Sequence, residues 1–343
     1  MKIDILCPEG SPLGIIPEDI WGRGVGGAEL AMLTLAELLA KREHQVRVYN
    51  NPKAPGVHGN VEFGAVGSFD PSDSTRDAVI LFRSPSDVFR RAKGKKVFWS
   101  CDQYTSGDYK QQVFPFADKV VMISERHKEF FHGYYGVNGD DQKFMVLPIG
   151  VRVWDYQMDP PPSKIPDRMI FCSVPDRGLD VMYKMWPAIK ERIPNASLVI
   201  TSDYRLWGFD QAGNHEHKLK WRSMPDVDFR GAVPRAELCR LQHEAEIQSY
   251  PNTYDELFCI SVAECSRVGA VPVTSEVGAL PTTNRFGVRI PGDPQSTTFQ
   301  NQFVEALTKR ELLDQHRQMA QTYAATEFNW DAIILLWEQL VLA

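Results

Sequence analysis

The sequence predicts an α/β protein made of two Rossmann-like halves, each a parallel β-sheet with helices on both faces. Short, near-continuous apolar runs alternate with helical stretches, which is the pattern of strands buried on both faces. This rhythm occurs twice along 343 residues, a length that suits two domains. A proline-rich segment, Asp159–Pro166, separates the two series.

The first half opens with a predicted strand at Lys2–Pro8, followed by a glycine-rich loop over Glu9–Gly27. Apolar residues at helical spacing predict a helix over Ala28–Arg42. Gln45–Asn50 is predicted to be the next strand. Ser124 is the expected N-cap of a helix over Glu125–Tyr135. Further strands are predicted at Asp77–Phe82, Lys96–Ser100, Lys119–Ile123 and Phe144–Leu147.

The second half repeats the alternation after the proline-rich break. Strands are predicted at Met169–Val174, Ser197–Ser202, Val227–Val233, Glu246–Tyr250, Val271–Thr274 and Gly287–Ile290. Helices are predicted at Leu179–Ile193, Arg235–Ala245, Leu257–Val268, Thr297–Thr326 and Asn329–Leu342. Parallel sheets place their ligand sites at the carboxyl ends of strands.

Composition excludes several classes of function. The net charge of −6 disfavours proteins that bind nucleic acid or anionic membranes through a basic surface. The six cysteines form no Cys-x-x-Cys pair, so neither a zinc site nor a disulfide framework is indicated, and the cytoplasm is the expected compartment. No apolar run approaches the ~20 residues of a membrane span.

The loop before the first helix carries the glycine cluster Gly22–Gly27. Glycines allow backbone amides to approach an anion, and a helix N-terminus favours negative charge. An NAD site would place its glycines directly behind the strand and an acidic residue after the second strand. Here the second strand ends in Asn50-Asn51, which disfavours NAD. A loop without a ligand is the other alternative.

Two glutamates, Glu256 and Glu264, are separated by seven residues. If both were helical, they would lie ~12 Å apart along one helix axis, and a single extended ligand could contact both. Carboxylates accept strong hydrogen bonds from sugar hydroxyls. The alternative is structural, with Glu256 a first-turn partner of the helix dipole and Glu264 an exposed helix residue.

With its flanks, this pair resembles the Glu-x7-Glu motif of the retaining GT-B glycosyltransferases that use nucleotide-sugar donors, the group 1 or glycosyltransferase family 4-like proteins. The similarity covers nearly the whole chain. The matching stretches are Ser249-Tyr250-Pro251, Gly269–Val273, Gly278–Pro281, Gly26–Glu29, Asp228–Val233, Val146–Val151 and Phe328-Asn329-Trp330.

The resemblance implies the GT-B fold, with the two halves facing each other across a cleft and a C-terminal helix that returns to the N-terminal domain. Residues 1–151 would form the acceptor-side domain and 152–167 the linker. Residues 168–326 would form the donor-nucleotide domain, and 327–343 the returning helix.

The resemblance also implies roles for particular residues. Glu256 would bind hydroxyls of the transferred sugar, Glu264 the donor ribose, and Arg177 the diphosphate. Asp102 would act on the acceptor side, although Cys101 replaces the histidine that often precedes this aspartate, and no partner arginine occurs at the family's usual position beside Arg177. The remaining donor-binding candidates are Gly26, Gly27, Arg230, Leu257, Gly278, Ala279 and Leu280.

By this resemblance the chain is an enzyme, a retaining hexosyltransferase or other glycosyltransferase. It would take a UDP- or GDP-sugar as donor and need neither a cofactor nor a metal ion. The acceptor is open: a glycan, a lipid-linked sugar, a protein, a small molecule or a modified base. A homo-oligomer is also left open. The alternatives are a non-catalytic protein that binds nucleotide sugars or glycans, and another GT-B activity such as a sugar epimerase.

Overall fold

A computed structural model describes residues 1–9, 14–137, 141–207 and 212–343. Residues 10–13 of the predicted glycine-rich loop lie outside this description. The chain divides into two compact units. The first contains residues 1–20, 26–149 and 330–343, and the second contains residues 21–25 and 150–329.

The first unit is built on an eight-stranded sheet of order β3-β4-β2-β1-β5-β6-β7-β8. Every neighbouring pair is parallel except β3 with β4. The strands are β1 Lys2–Leu6, β2 Gln45–Tyr49, β3 Gly56–His58, β4 Val61–Gly64, β5 Ala78–Phe82, β6 Lys95–Trp99, β7 Lys119–Met122 and β8 Phe144–Val146. The helices that begin before residue 150 are α1 Asp19–Gly22, α2 Gly27–Lys41, α3 Asp87–Arg91, α4 Tyr109–Gln112 and α5 Glu125–Tyr135.

The second unit is built on a six-stranded, fully parallel sheet of order β11-β10-β9-β12-β13-β14. Its strands are β9 Arg168–Phe171, β10 Ser197–Ile200, β11 Val227–Phe229, β12 Ile247–Tyr250, β13 Val271–Ser275 and β14 Val288–Ile290. Its helices are α6 Leu179–Arg192, α7 Ala212–Trp221, α8 Arg235–Glu244, α9 Ile260–Arg267, α10 Leu280–Thr283, α11 Thr297–Thr308 and α12 Arg310–Glu327.

The last segment, α13 Trp330–Leu336 and a π-helical stretch Trp337–Leu342, belongs to the first unit. The Trp337 ring packs edge-on against Trp99 of β6 with 5.1 Å between centroids. Glu338 pairs with Arg42 at 2.7 Å and with His44 at 2.9 Å. The apolar and aromatic pattern of this segment therefore serves the core of the first unit.

The predicted α/β class with two parallel sheets is confirmed, because the apolar runs of the sequence are the central strands. β5, β12 and β13 are buried at every position, as strands covered on both faces must be. Among the described residues, no helix is long and apolar enough to cross a membrane.

The predicted helix over Leu257–Val268 is wrong at its start. Helix α9 begins at Ile260, because Cys259 has a left-handed backbone with φ 73° and stops the helix there. Glu256 thus lies in the loop before the helix, and the helical estimate of its separation from Glu264 does not hold.

Other boundaries also differ from the sequence-based predictions. The helical region predicted at Thr297–Thr326 consists of two helices, α11 and α12, which meet at Lys309. Helix α7 lies within a polar stretch with no predicted element, and the short antiparallel pair β3–β4 was not predicted. Polar or very short elements leave little periodic signal.

The stretch 152–167, interpreted from its prolines as a linker, is grouped with the second unit. Buried Asp155 explains this grouping, since one of its carboxylate oxygens accepts hydrogen bonds from Arg152 at 2.9 Å and from Arg235 at 2.8 Å. Because Arg235 begins α8, the Arg235–Asp155 ion pair attaches residues 152–167 to the second unit.

Candidate functional site

The strand order of each sheet defines a crevice with polar loops on either side. In both sheets consecutive strands extend first to one side and then to the other, so the loops after two central strands diverge and leave a crevice. In the first sheet these strands are β1 and β5, and in the second they are β9 and β12. Ligands of open α/β sheets bind outside the carboxyl ends of such strands.

In the second unit, the loops after β9 and β12 bring Arg177 and Glu256 into an ion pair. Glu256 is almost fully buried, whereas the Arg177 side chain is 20% exposed. The guanidinium also lies 4.2 Å from the centroid of the Tyr254 ring, a cation–π distance. Two residues 79 positions apart in sequence thus form one charged pair at the switch point.

The charge states of this pair follow from its surroundings. Burial acts to lower the pKa of Arg177, but the neighbouring Glu256 carboxylate outweighs burial and raises the pKa above its usual value. Burial raises the pKa of Tyr250 well above its usual value, so the phenol stays neutral and donates to Glu256 at 2.5 Å. The site therefore offers a permanent cation beside a carboxylate held by two donors.

Two glycines allow the backbone to close around this pair. Gly178 caps α6 with φ 102°, and a Cβ there would overlap the carbonyl of Pro251. Gly278 has φ 67°, and a Cβ there would overlap the backbone of Glu256. Both positions require glycine for conformation and for space.

The donor-binding candidates Leu257, Ala279 and Leu280 differ in whether their backbone amides already have an acceptor. The Ala279 amide donates to the Glu256 carbonyl at 2.6 Å, and the Leu280 amide donates to Val277 at 3.4 Å. The first bond holds the turn against the Glu256 loop, and the second lies within the turn itself. The Leu257 amide donates to no acceptor within the described part of the chain.

Glu264 has a different environment from Glu256. It is 3% exposed, and its carboxylate accepts from Arg235 at 2.7 Å and from Gln242 at 3.2 Å. Arg235 in turn pairs with Asp155, and Gln242 accepts from the Tyr156 hydroxyl at 2.6 Å. Glu264 is therefore part of a buried network that ties α8 and α9 together, and not the exposed helix residue of the structural alternative.

Arg230, another of the donor-binding candidates, lies in the stretch that follows β11. Arg230 is exposed and pairs with Asp228 at 2.7 Å and with Glu237. Gly231 has φ 76°. Buried Asp203, after β10, accepts from the Ala232 amide at 3.1 Å and so fixes this backbone.

In the first unit, the switch point is occupied by Arg83, which directly follows β5. Its guanidinium pairs with Glu29 at 2.8 Å, with Asp102, and with Glu9 at 3.7 Å. Ser84 donates to Glu9 at 2.8 Å. Arg83 was not among the residues predicted from the sequence; its position directly after an apolar strand of a parallel sheet is the one signal that could have identified it.

Asp102 lies in the loop after β6, and its backbone is fixed by a buried histidine. His127 Nε2 donates to the Asp102 carbonyl at 3.0 Å, while its Nδ1 faces the Ile123 amide at 3.4 Å. Burial lowers the pKa of His127 to about 3, so the ring is neutral. Burial raises the pKa of Cys101 well above its usual value, and a neutral thiol is a poor nucleophile.

Gly26 and Gly27 lie where the glycine cluster meets α2. Gly26 is the N-cap residue, and no side chain caps the helix. The first-turn amides of a helix have no intrahelical acceptor, so this N-terminus is suited to an anion. Among the described residues, no group of three or more His, Cys, Asp or Glu side chains is arranged to hold a metal ion.

No protein-family model and no curated protein matches the chain. Solved structures do match over nearly its whole length. Sucrose-phosphate synthase from Thermosynechococcus elongatus is 14% identical with a TM-score of 0.72, covering 99% of this chain and 98% of that one. WaaG, a glycosyltransferase involved in lipopolysaccharide biosynthesis, is 16% identical with a TM-score of 0.69, covering 99% of both chains.

A third similar structure is that of HepE from Anabaena in complex with UDP-glucose. It is 15% identical with a TM-score of 0.68, and the match covers 99% of this chain and 98% of that one. These are similarities of fold, and they agree with the two parallel sheets described above. The chain therefore has the GT-B fold found in nucleotide-sugar glycosyltransferases.

Proposed function

We propose that the chain is a retaining glycosyltransferase that moves a sugar from a nucleoside-diphosphate sugar to an acceptor without a metal ion. The observation that carries this function is the Arg177–Glu256 pair at the switch point of the second sheet. A fixed cation suits the diphosphate of such a donor, and an adjacent carboxylate suits the hydroxyls of its sugar.

The donor binds at the second unit. The planar guanidinium of Arg177 has five N–H donors and can bind a carboxylate and a phosphate together. The Leu257 amide belongs to the Glu256 loop, and the Gly278 turn packs against that loop. Gly26 and Gly27 remain proposed anion-binding residues of the first unit. We assign the base to the backbone around Arg230, and the ribose to Glu264, whose contacts with Arg235 and Gln242 would have to open to admit it. Because HepE was solved with UDP-glucose, UDP-sugars are tested first and GDP-sugars second.

The chemistry requires stabilisation of the leaving group. As the glycosidic bond breaks, positive charge develops on the sugar and negative charge on the diphosphate. Arg177 stabilises the negative charge as it develops, because the guanidinium is already in place and needs no reorganisation. Glu256 orients the sugar through its hydroxyls, and the departing phosphate accepts the proton of the acceptor. Asp102 in the first unit binds the acceptor.

Glu256→Gln tests this function. The amide can still accept the Tyr250 hydrogen bond but loses the charge, so we expect turnover to fall by roughly 10²-fold or more while the chain stays folded. The assay follows release of the nucleoside diphosphate and the fate of an anomeric ¹³C label by NMR, with a panel of UDP- and GDP-sugars. Glu305→Gln, which alters an exposed ion pair with Lys309, should leave turnover unchanged.

The same assay separates the alternatives. Retention at the labelled carbon and persistence of turnover in EDTA support the proposed mechanism. Inversion or strict metal dependence contradicts it. A non-catalytic binding protein would bind a sugar nucleotide without consuming it, even with enzyme in excess, and an epimerase would release a changed sugar without an acceptor product.

A further inference from the structure

Arg83 has an unusual backbone for an arginine. It lies directly after β5 with φ 65°, in the left-handed region. That conformation is unfavourable for a residue other than glycine. Its amide donates to the Trp99 carbonyl at 2.9 Å, which fixes the turn against β6. Such strained residues cluster at functional sites, where the surroundings hold them in place.

The Arg83 side chain joins three segments that are distant in sequence. It contacts Glu29 in the first turn of α2 and Asp102 after β6, and it reaches Glu9 after β1 at 3.7 Å. Exposure differs sharply along this network. The Glu29 side chain is 5% exposed and that of Arg83 14%, whereas that of Asp102 is 37% exposed. The buried Arg83 guanidinium therefore contacts the Asp102 carboxylate from the protein interior, and the Asp102 side chain is partly exposed to solvent.

Charge explains why Arg83 matters to its neighbours. Burial raises the pKa of Glu29, and the Arg83 charge opposes that rise. Without the guanidinium, three carboxylates would face each other and lose the charge that now compensates them. Among the described residues, the titratable groups around the Arg83 side chain are Cys7, Glu9, Glu29, Cys101 and Asp102, and His127 contacts the Asp102 carbonyl.

A second buried arginine in the same unit offers a contrast. Arg76 pairs with Asp4 at 2.5 Å, and both side chains are fully buried. Because both side chains are fully buried, a ligand cannot reach the Arg76–Asp4 pair, and the pair stabilises the core. The Arg83–Asp102 pair is open on the Asp102 side, so it can act on a molecule in solvent.

We propose that Arg83 is a positioning residue for glycosyl transfer: through its ion pair it directs the Asp102 carboxylate to solvent, where Asp102 accepts a hydrogen bond from a hydroxyl of the acceptor other than the one that reacts. This role rests on the proposed function. It adds a residue to the acceptor side of the reaction and leaves Arg177 and Glu256 as the donor-binding pair.

The experiment compares Arg83→Met and Arg83→Lys with the control Arg76→Met. Rates are measured as nucleoside diphosphate release from the sugar nucleotide that the wild-type chain consumes, as a function of pH. UDP binding is measured by calorimetry. For Arg83→Met we expect the rate to fall by at least ~10-fold. The acid limb of its pH–rate profile should move to higher pH by roughly one unit or more. The UDP Kd should change by less than about twofold.

Arg83→Lys keeps the positive charge but lacks the planar, forked guanidinium. The acid limb of its pH–rate profile should therefore match that of the wild type, and its rate should lie between those of the wild type and Arg83→Met. Arg76→Met should lower the melting temperature without moving the acid limb. If Arg83→Met has the pH profile of the wild type, the positioning role is wrong while the proposed function stands. If the wild-type chain consumes no sugar nucleotide, both fail.

A second set of variants keeps the test decisive if Arg83→Met does not fold. Asp102→Asn removes the charge that Arg83 is inferred to position. In the Asp102→Asn background, Arg83→Lys should then cause little further loss of rate, because the two residues act as a unit. Independent, multiplicative losses would overturn the inference.

Discussion

His127 illustrates at the residue scale how burial fixes a protonation state that a neighbouring site depends on. A carbonyl oxygen can only accept, so the contact with the Asp102 carbonyl requires a proton on Nε2. Burial lowers the pKa of the ring to about 3, against about 6.5 in an unfolded chain. The neutral ring thus holds the Asp102 loop without adding charge to it.

This pKa predicts a pH dependence of stability. Between the two pKa values the unfolded chain binds the extra proton, so the free energy of unfolding falls as pH drops below about 6.5. The loss from His127 alone should be about 2 kcal/mol near pH 5. Urea unfolding at neutral and acidic pH should show this loss in the wild type but not in His127→Gln. A loss of equal size in His127→Gln would contradict the assignment, and His316→Gln on α12 is the control.

The two glutamates show what sequence can and cannot predict for single residues. Their spacing identified both as candidates, but only the fold shows that their partners differ. Glu256 meets Arg177 and Tyr250 at the end of two strands, whereas Glu264 meets Arg235 and Gln242 inside a buried network. These partners come from other segments of the chain, and one sequence without structure carries no signal for such pairings.

At the element scale, the turn at Gly278 supports the loop that carries Glu256. The Ala279 amide bonds the Glu256 carbonyl, and only glycine fits at Gly278. Gly278→Ala should therefore lower the free energy of unfolding by at least about 1 kcal/mol and reduce turnover by displacing Glu256. Gly67→Ala, where a Cβ meets open space, is the matched control. Equal stability and turnover in both variants would contradict this role of the turn.

The start of α9 shows why element boundaries were harder to predict than elements. The sequence Leu257–Ile260 contains no glycine or proline that would stop a helix, yet Cys259 adopts a left-handed backbone with φ 73°. The loop before it is fixed by distant contacts, including the Gly278 turn and a hydrogen bond from Thr283 to the Phe258 carbonyl. Tertiary contacts therefore override the local preference for helix.

At the scale of the whole molecule, the strand order of each unit explains where the polar residues gather. The alternation of apolar strands and helices was sufficient to predict two parallel sheets, because buried strands have no polar face. The order of strands then places Arg177 and Glu256 at one switch point and Arg83, Glu9 and Asp102 around the other. Arg83 was missed because an isolated arginine after a strand resembles any surface residue in sequence.

The central claim is that the second unit binds a nucleoside-diphosphate sugar through Arg177 and Glu256. A crystal structure of the chain with an intact sugar nucleotide tests it most directly. We expect the diphosphate within hydrogen-bond distance of the Arg177 guanidinium and a sugar hydroxyl on the Glu256 carboxylate. A fully occupied sugar nucleotide that contacts neither side chain would contradict the claim.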